Sequence, residues 1–335
     1  MPKGSGRADP LLVEVIRGGV VESRHRGAVV VADVTGRIVH AQGDVARRVF
    51  PRSALKPVQA LPLVETGAAD AFGLGPEELA LAAASHTGEA VHVDRVAAWL
   101  ARIGLGADAL ECGAHPPVDA DAAHALARAG ALPSALHNNC SGKHAGFLTV
   151  ARHLGVEPGG YIQPDHPVQR LVTAAIAEMT EADAASTPCG IDGCGIPVFA
   201  LPLAGLATAM ARLADPSALA PSRAAAARRI VAAMTAHPHL VGGNGRLDTR
   251  LMASVPRLAT KGGAEGVHVA ILSGRALGVA VKIADGAGRA AEVALLATLV
   301  RLGVLTEDQA FALGLRPELR NMAGRVVGEI RPAGG

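Results

Sequence analysis

The hydrophobic periodicity of this chain changes twice, and those two changes constrain its fold more than any other feature. Residues 11–17 (Leu-Leu-Val-Glu-Val-Ile-Arg) follow the two-residue period of a strand, and two further strand-like runs, 27–33 and 36–41, flank a turn signal at Val34-Thr35-Gly36. From about residue 51 to 237 the period is mostly helical, over 77–84 behind Pro76, then 92–103, 120–129, 141–154, 167–179, 203–213 and 222–235. The last third returns to strands at 266–273 and 276–283, around Gly274-Arg275. Helical patterns at 290–302 and 306–313 and a short strand at 325–331 follow.

Strands at both ends with helices between predict an α/β (α+β) chain. Its N- and C-terminal strands pair in one antiparallel sheet flanked by helices, and the middle forms a mostly helical lobe. Residues 1–9 read as a flexible tail and 10–335 as one unit, with a sheet lobe at about 10–50 and 238–335 and a helical lobe at about 51–237. Regular β-α-β alternation and a Gly-x-Gly-x-x-Gly turn are both missing, which leaves a dinucleotide-binding fold unsupported.

Charge and composition exclude other classes. The 32 basic and 30 acidic residues leave a net charge of only +2, and one Trp, one Tyr and five Phe offer little for stacking bases, so nucleic acid is not an expected partner. Residues 1–10 lack the apolar core of a secretory signal. The uncharged stretch 193–211 is long enough to suggest a membrane span, but Pro197, Pro202 and Gly205 make it read as a buried strand or loop entering a core helix. A soluble, cytoplasmic protein is expected. Its cysteines, Cys112, Cys140, Cys189 and Cys194, contain no Cys-x-x-Cys pair, which leaves free thiols, catalysis and an irregular metal site as competing readings.

Chemistry concentrates in a few segments. In Arg52-Ser53-Ala54-Leu55-Lys56-Pro57, Ser53 and Lys56 are three residues apart, which on a helical turn brings a hydroxyl within reach of an amine that can act as its base. Ser-x-x-Lys is the core of one group of acyl-transfer enzymes, in which a Lys-Thr-Gly element lines the site from an edge strand. Thr260-Lys261-Gly262-Gly263 could stand there, or be a plain glycine-rich turn. Ser85-His86-Thr87-Gly88-Glu89 supplies a second hydroxyl and a proton carrier, or a helix end stopped by Gly88. The segments 137–146 and 190–197 crowd Cys140, Lys143, His144, Asp192 and Cys194 among glycines and prolines. Cys140 and Cys194 suit zinc, with His137, His144 or Asp192 as conventional third ligands, and equally suit two buried thiols.

Together with Cys112-Gly113-Ala114-His115-Pro116-Pro117, these segments resemble the asparaginase II family, the rhizobial-type L-asparaginases, in family order and over nearly the whole chain. The resemblance implies a fold like the serine β-lactamases and hydrolysis of L-asparagine to L-aspartate and ammonia by one catalytic unit. It also implies two Ser-Lys pairs, Ser53 with Lys56 and Ser85 with Lys261, a zinc site at Cys140, Lys143 and Cys194, and a homodimer. On that footing Asp192 would take the substrate's α-ammonium group, Arg52 its carboxylate, and His144 would orient a neighbour. Alternatives are a glutaminase or β-lactamase-like enzyme on the same scaffold, or a noncatalytic zinc- or amino-acid-binding protein; the lack of a well-placed Ser-x-Asn element counts against a β-lactamase.

Overall fold

A computed structural model of the chain describes residues 9–183 and 186–334; the expected N-terminal tail lies, apart from Asp9, outside them. The main sheet has eight strands: β1 (Leu11–Arg17), β2 (Val20–Asp33), β3 (Ile38–Gln42), β4 (Leu258–Gly262), β5 (Val267–Leu272), β6 (Leu277–Ile283), β7 (Glu318–Arg320) and β8 (Val326–Pro332). Their order is β7-β8-β1-β2-β6-β5-β4, with β3 also on β2, and every pairing is antiparallel. Both ends of the chain thus share one sheet, as the periodicity predicts: Val13 pairs with Pro332 and Val31 with Val279.

Strand β2 shows why the sheet is central. Its second half reads Ala28-Val29-Val30-Val31-Ala32 with no polar residue, because both faces are covered. Ala28, Val30 and Ala32 face the core shared with the helical lobe. Val29 and Val31 face a second core on the opposite side, with Val279 and Val281 of β6 and Leu295 and Leu299. Four helices bear on the site: α1 (Pro76–Ala82), α2 (Ser141–Leu154), α3 (Leu203–Ala214) and α4 (Gly288–Arg301). Helix α3 lies on the first face, α4 on the second. Helix α2 is buried from Ser141 through Ala151 and ends at Gly155, which holds φ +67° as a left-handed stop.

Three parts of the sheet escape a reading by periodicity, the three-residue β7 because it is too short to show one. In the first half of β2, Val20–Arg26, exposed and half-covered positions alternate under a largely polar sequence that carries no apolar signal. Strand β4 fails for the opposite reason: all five residues are buried, including Thr260 and Lys261, so nothing alternates. The stretch 193–211 forms a short ribbon strand, Pro197–Phe199, that leads into α3, as expected, and no helix among the described residues is long and apolar enough to cross a membrane.

Helix α3 approaches β6 through Gly278. A Cβ there would stand 2.0 Å from the Ala207 carbonyl oxygen and 2.3 Å from the Ala211 nitrogen, both backbone atoms that cannot step aside. We therefore expect Gly278→Ala to destabilise the fold by about 3 kcal/mol or more in urea unfolding. Gly288→Ala, with nothing within 4 Å of the new atom, should be neutral; equal effects would mean that this contact does not set the packing distance.

Candidate active site

Ser53 sits in a single 3-10 turn, Arg52–Leu55, that runs directly into the helix Lys56–Gln59. Ala54 and Leu55 anchor the turn in the core. The backbone beyond β4 presses on it: a Cβ on Gly263 would lie 2.7 Å from the Pro51 carbonyl oxygen and 3.1 Å from the Ala54 nitrogen. The second glycine of Lys261-Gly262-Gly263 therefore admits the Ser53 turn itself rather than a ligand. Arg52 has φ +51°, a left-handed conformation uncommon for a side chain of this size. It is held there by an ion pair, Nε to Asp192 Oδ1 at 2.5 Å. Burial alone would raise the Asp192 pKa, but Lys143 and Arg52 hold the carboxyl below its ordinary value.

The lysines are paired differently from the expected scheme. Lys56 is fully buried, and its Nζ meets the Ala84 carbonyl at 2.5 Å, Ser85 Oγ at 2.9 Å and the Asn139 carbonyl at 3.4 Å. Among the described residues no hydrogen bond joins Lys56 to the Ser53 hydroxyl or Lys261 to Ser85. The reason is geometric: Lys56 opens the helix that follows the Ser53 turn and extends inward, to the end of the segment after α1. Burial lowers the Lys56 pKa, and the Cys140 thiolate offsets only part of that shift.

Lys261 donates to the Gly262 carbonyl at 2.8 Å, and its Nζ lies 3.9 Å from Asp248 Oδ2. Asp248 is itself buried; it accepts from the Gly262 N–H at 3.0 Å and pairs with His268 at 2.8 Å. Burial would raise its pKa, but His268 and Lys261 keep it ionised. Burial drives Lys261 down to about 7 against the pull of Asp248.

Cys140, Lys143 and Cys194 come together in the interior. Lys143 Nζ donates to Cys194 Sγ at 2.9 Å. A hydrogen bond from Cys194, with Lys56 and Lys143 nearby, holds Cys140 well below the ordinary thiol pKa, while Cys194 is raised as the partner that keeps the proton. Burial alone would lower the Lys143 pKa, but the two sulfurs outweigh it, so the group stays an ammonium ion. His144 lies beneath this set and lines neither cavity of the site: its Nδ1 is hydrogen-bonded with the Tyr161 hydroxyl at 2.7 Å, and its Nε2 is buried without a partner among the described residues. It is an interior residue, so any part it plays toward substrate runs through its neighbours.

Two cavities meet at Ser53. One, of about 240 Å³, is lined by Arg52, Asp192, Cys140, Cys194, His115 and Asn138. The other, of about 510 Å³, is lined by Ser85, Gly262, His268, Arg246, Arg289 and Glu292; Ser53, Asn139 and Ala264 belong to both. The nucleophile candidate therefore stands between a small charged pocket beside the sulfurs and a larger one beside the second serine.

The sequence matches the L-asparaginase II family over residues 13–332. The chain belongs to that family. Membership makes it an asparaginase-type amidohydrolase that acts on a small molecule. No curated protein matches it. Among solved structures, a β-lactamase from Mycobacterium bovis is similar at 15% identity and a TM-score of 0.42, over 83% of this chain and 95% of that one.

The donor set of this L-asparaginase II family member fits zinc: two sulfurs, one with its pKa held well below the ordinary thiol value, and one amine, all nearly buried, with the sulfurs at the wall of the smaller cavity. Asp248 and His268 were not found by sequence reasoning. Asp248 is a single carboxylate in Arg246-Leu247-Asp248-Thr249 with no local pattern around it, whereas a histidine inside the apolar run Val267-His268-Val269 was a signal available in advance. Because Lys143 and Cys194 hold protons, zinc uptake must displace them. Titrating metal-free protein with zinc in weak buffer is expected to release on the order of two protons per ion. Cys140→Ala should remove the effect, and zinc uptake without proton release would contradict the assignment.

Proposed function

We propose that the chain is an L-asparaginase that hydrolyses the side-chain amide of L-asparagine to L-aspartate and ammonia. The observation that carries this reading is Ser53 at the junction of two cavities, one of them small and doubly charged. Arg52 and Asp192 are paired with each other, so an incoming amino acid exchanges one ion pair for two, its carboxylate on Arg52 and its ammonium on Asp192. Zinc held by Cys140, Lys143 and Cys194 would supply a Lewis-acid centre at that end of the substrate.

Ser53 Oγ attacks the amide carbon. Its proton passes to Lys56 through the Ser85 hydroxyl, which already rests on Lys56 Nζ at 2.9 Å. Lys261, brought down to about 7 by burial, can still carry a proton near neutral pH and give it to the departing nitrogen. Water then cleaves the ester. A second reading, with Ser85 as nucleophile, is favoured by that same 2.9 Å contact. The family resemblance adds a homodimer, to be measured by sedimentation, and the four free thiols suit the reducing cytoplasm.

Ammonia release from L-asparagine, with L-glutamine and a chromogenic β-lactam in parallel, tests the substrate; binding of asparagine without turnover would instead support a noncatalytic role. Ser53→Ala should lower kcat by about a thousandfold or more with the fold intact. Mass spectrometry of the acyl-enzyme should find the adduct on the peptide carrying Ser53, and an adduct on Ser85 would select the second reading. The pH profile supplies a further check. Lys261 acting as the acid must carry its proton, so kcat/KM should fall as pH rises through about 7. Asp248 raises the Lys261 pKa, so Asp248→Asn should move this limb to lower pH; an unmoved limb would remove Lys261 from the rate-determining proton transfer.

A further inference from the structure

The larger cavity does not match the leaving group of asparagine. Ammonia is about the size of a water molecule, roughly 30 Å³, whereas the space beyond Ser53 measures about 510 Å³. Its walls also carry charge that an uncharged leaving group cannot use. Arg246 is half-buried, and its Nη2 lies 3.8 Å from where a Cβ on Gly262 would stand, which puts the guanidinium over the end of β4 beside Lys261 and His268. Arg289 projects from the first turn of α4 on the opposite wall.

Neither guanidinium makes a hydrogen bond or ion pair among the described residues. Arg52, Arg212 and Arg223, by contrast, are all engaged with carboxylates. One carboxylate, Glu292, lines the same space, and the imidazole of His268 is already committed to Asp248. Two guanidiniums without a partner among the described residues, Arg246 half-buried and Arg289 exposed at the rim, stand against one anion beside the nucleophile, a charge balance that suits a ligand bringing a negative charge.

We propose that this cavity receives the amine half of a larger amide, so that the chain cleaves β-aspartyl peptides as well as free asparagine. The aspartyl end would occupy the smaller cavity, and the carboxylate of the departing amino acid would lie between Arg246 and Arg289. This rests on the L-asparaginase reading above and extends it to the leaving group. The chemistry is unchanged. Ser53 Oγ bonds to the side-chain acyl carbon, the C–N bond breaks, and the amine leaves with a proton from the site's lysines. One water then releases aspartate and regenerates the serine, with no oxidation or reduction. Asparagine is the case in which the departing amine is ammonia.

The test uses the full-length, zinc-loaded protein and three substrates: L-asparagine, β-aspartyl-glycine and β-aspartyl-glycinamide, the last lacking only the terminal carboxylate. β-Aspartyl-glycine is expected to be cleaved at a kcat/KM at least about tenfold above that of the glycinamide, as one charge-assisted hydrogen bond would provide. In the Arg246→Gln/Arg289→Gln variant the two values should converge. Arg246→Lys/Arg289→Lys should restore part of the preference, since the charge is kept. Neither side chain has a partner whose loss would unfold the protein, and a thermal melt of each variant checks this.

If asparagine is cleaved while β-aspartyl-glycine is not, the proposal falls and the L-asparaginase reading stands. If both peptides are cleaved equally, or the variant keeps the preference, the role of the arginines is refuted. Failure on asparagine itself would bring down both readings.

Discussion

Three lysines are buried to within 1% of complete exclusion from water, and the rest of the site is organised around that fact. Lys56, Lys143 and Lys261 rank among the largest fully buried side chains of the molecule. An ammonium group in a protein interior is strongly unfavourable unless it is compensated or gives up its proton. The chain does both. Lys143 keeps its charge because two sulfurs answer it, and Lys261 sits near its midpoint because Asp248 answers only part of the burial penalty. Lys56 has backbone carbonyls and a hydroxyl for neighbours and is driven toward the neutral amine. Identical side chains thus become a cation, a poised acid–base group and a candidate base by environment alone.

The same balance explains why the two serines differ. Ser85 is tied to Lys56, so its position follows from the interior. Ser53 is held by its backbone, between the Arg52–Asp192 pair on one side and the Gly263 contact on the other. A serine fixed through its main chain leaves its hydroxyl open to both cavities.

Much of this is legible in the amino-acid sequence, and the remainder is hidden for physical reasons. Helix α2 spans 141–154 as its period predicts, and the pairing of both chain ends in one sheet agrees with where the strand signals fall. The segments around Ser53, Ser85, Cys140, Cys194 and Lys261 do converge. The partners within that set are not legible, because Ser-x-x-Lys spacing fixes where a lysine starts and not where its four-carbon chain goes. Strand β4 is hidden because burial on both faces erases alternation. Asp248 is hidden because a carboxylate acquires meaning only from the lysine and histidine that the fold brings to it.

One feature of the sheet bears on how the protein comes to life. β4 and β5, with the glycine turn between them, supply Lys261, Gly263 and His268; they belong to the last third of the chain, yet they dock against a turn formed near its beginning. Contacts so distant in sequence form late and slowly. A ribosome-bound chain that has already displayed Ser53, Lys56 and Ser85 therefore lacks the strand that completes their surroundings. The candidate site is thus complete only once β4 and β5 have joined the sheet, however early its two serines are synthesised.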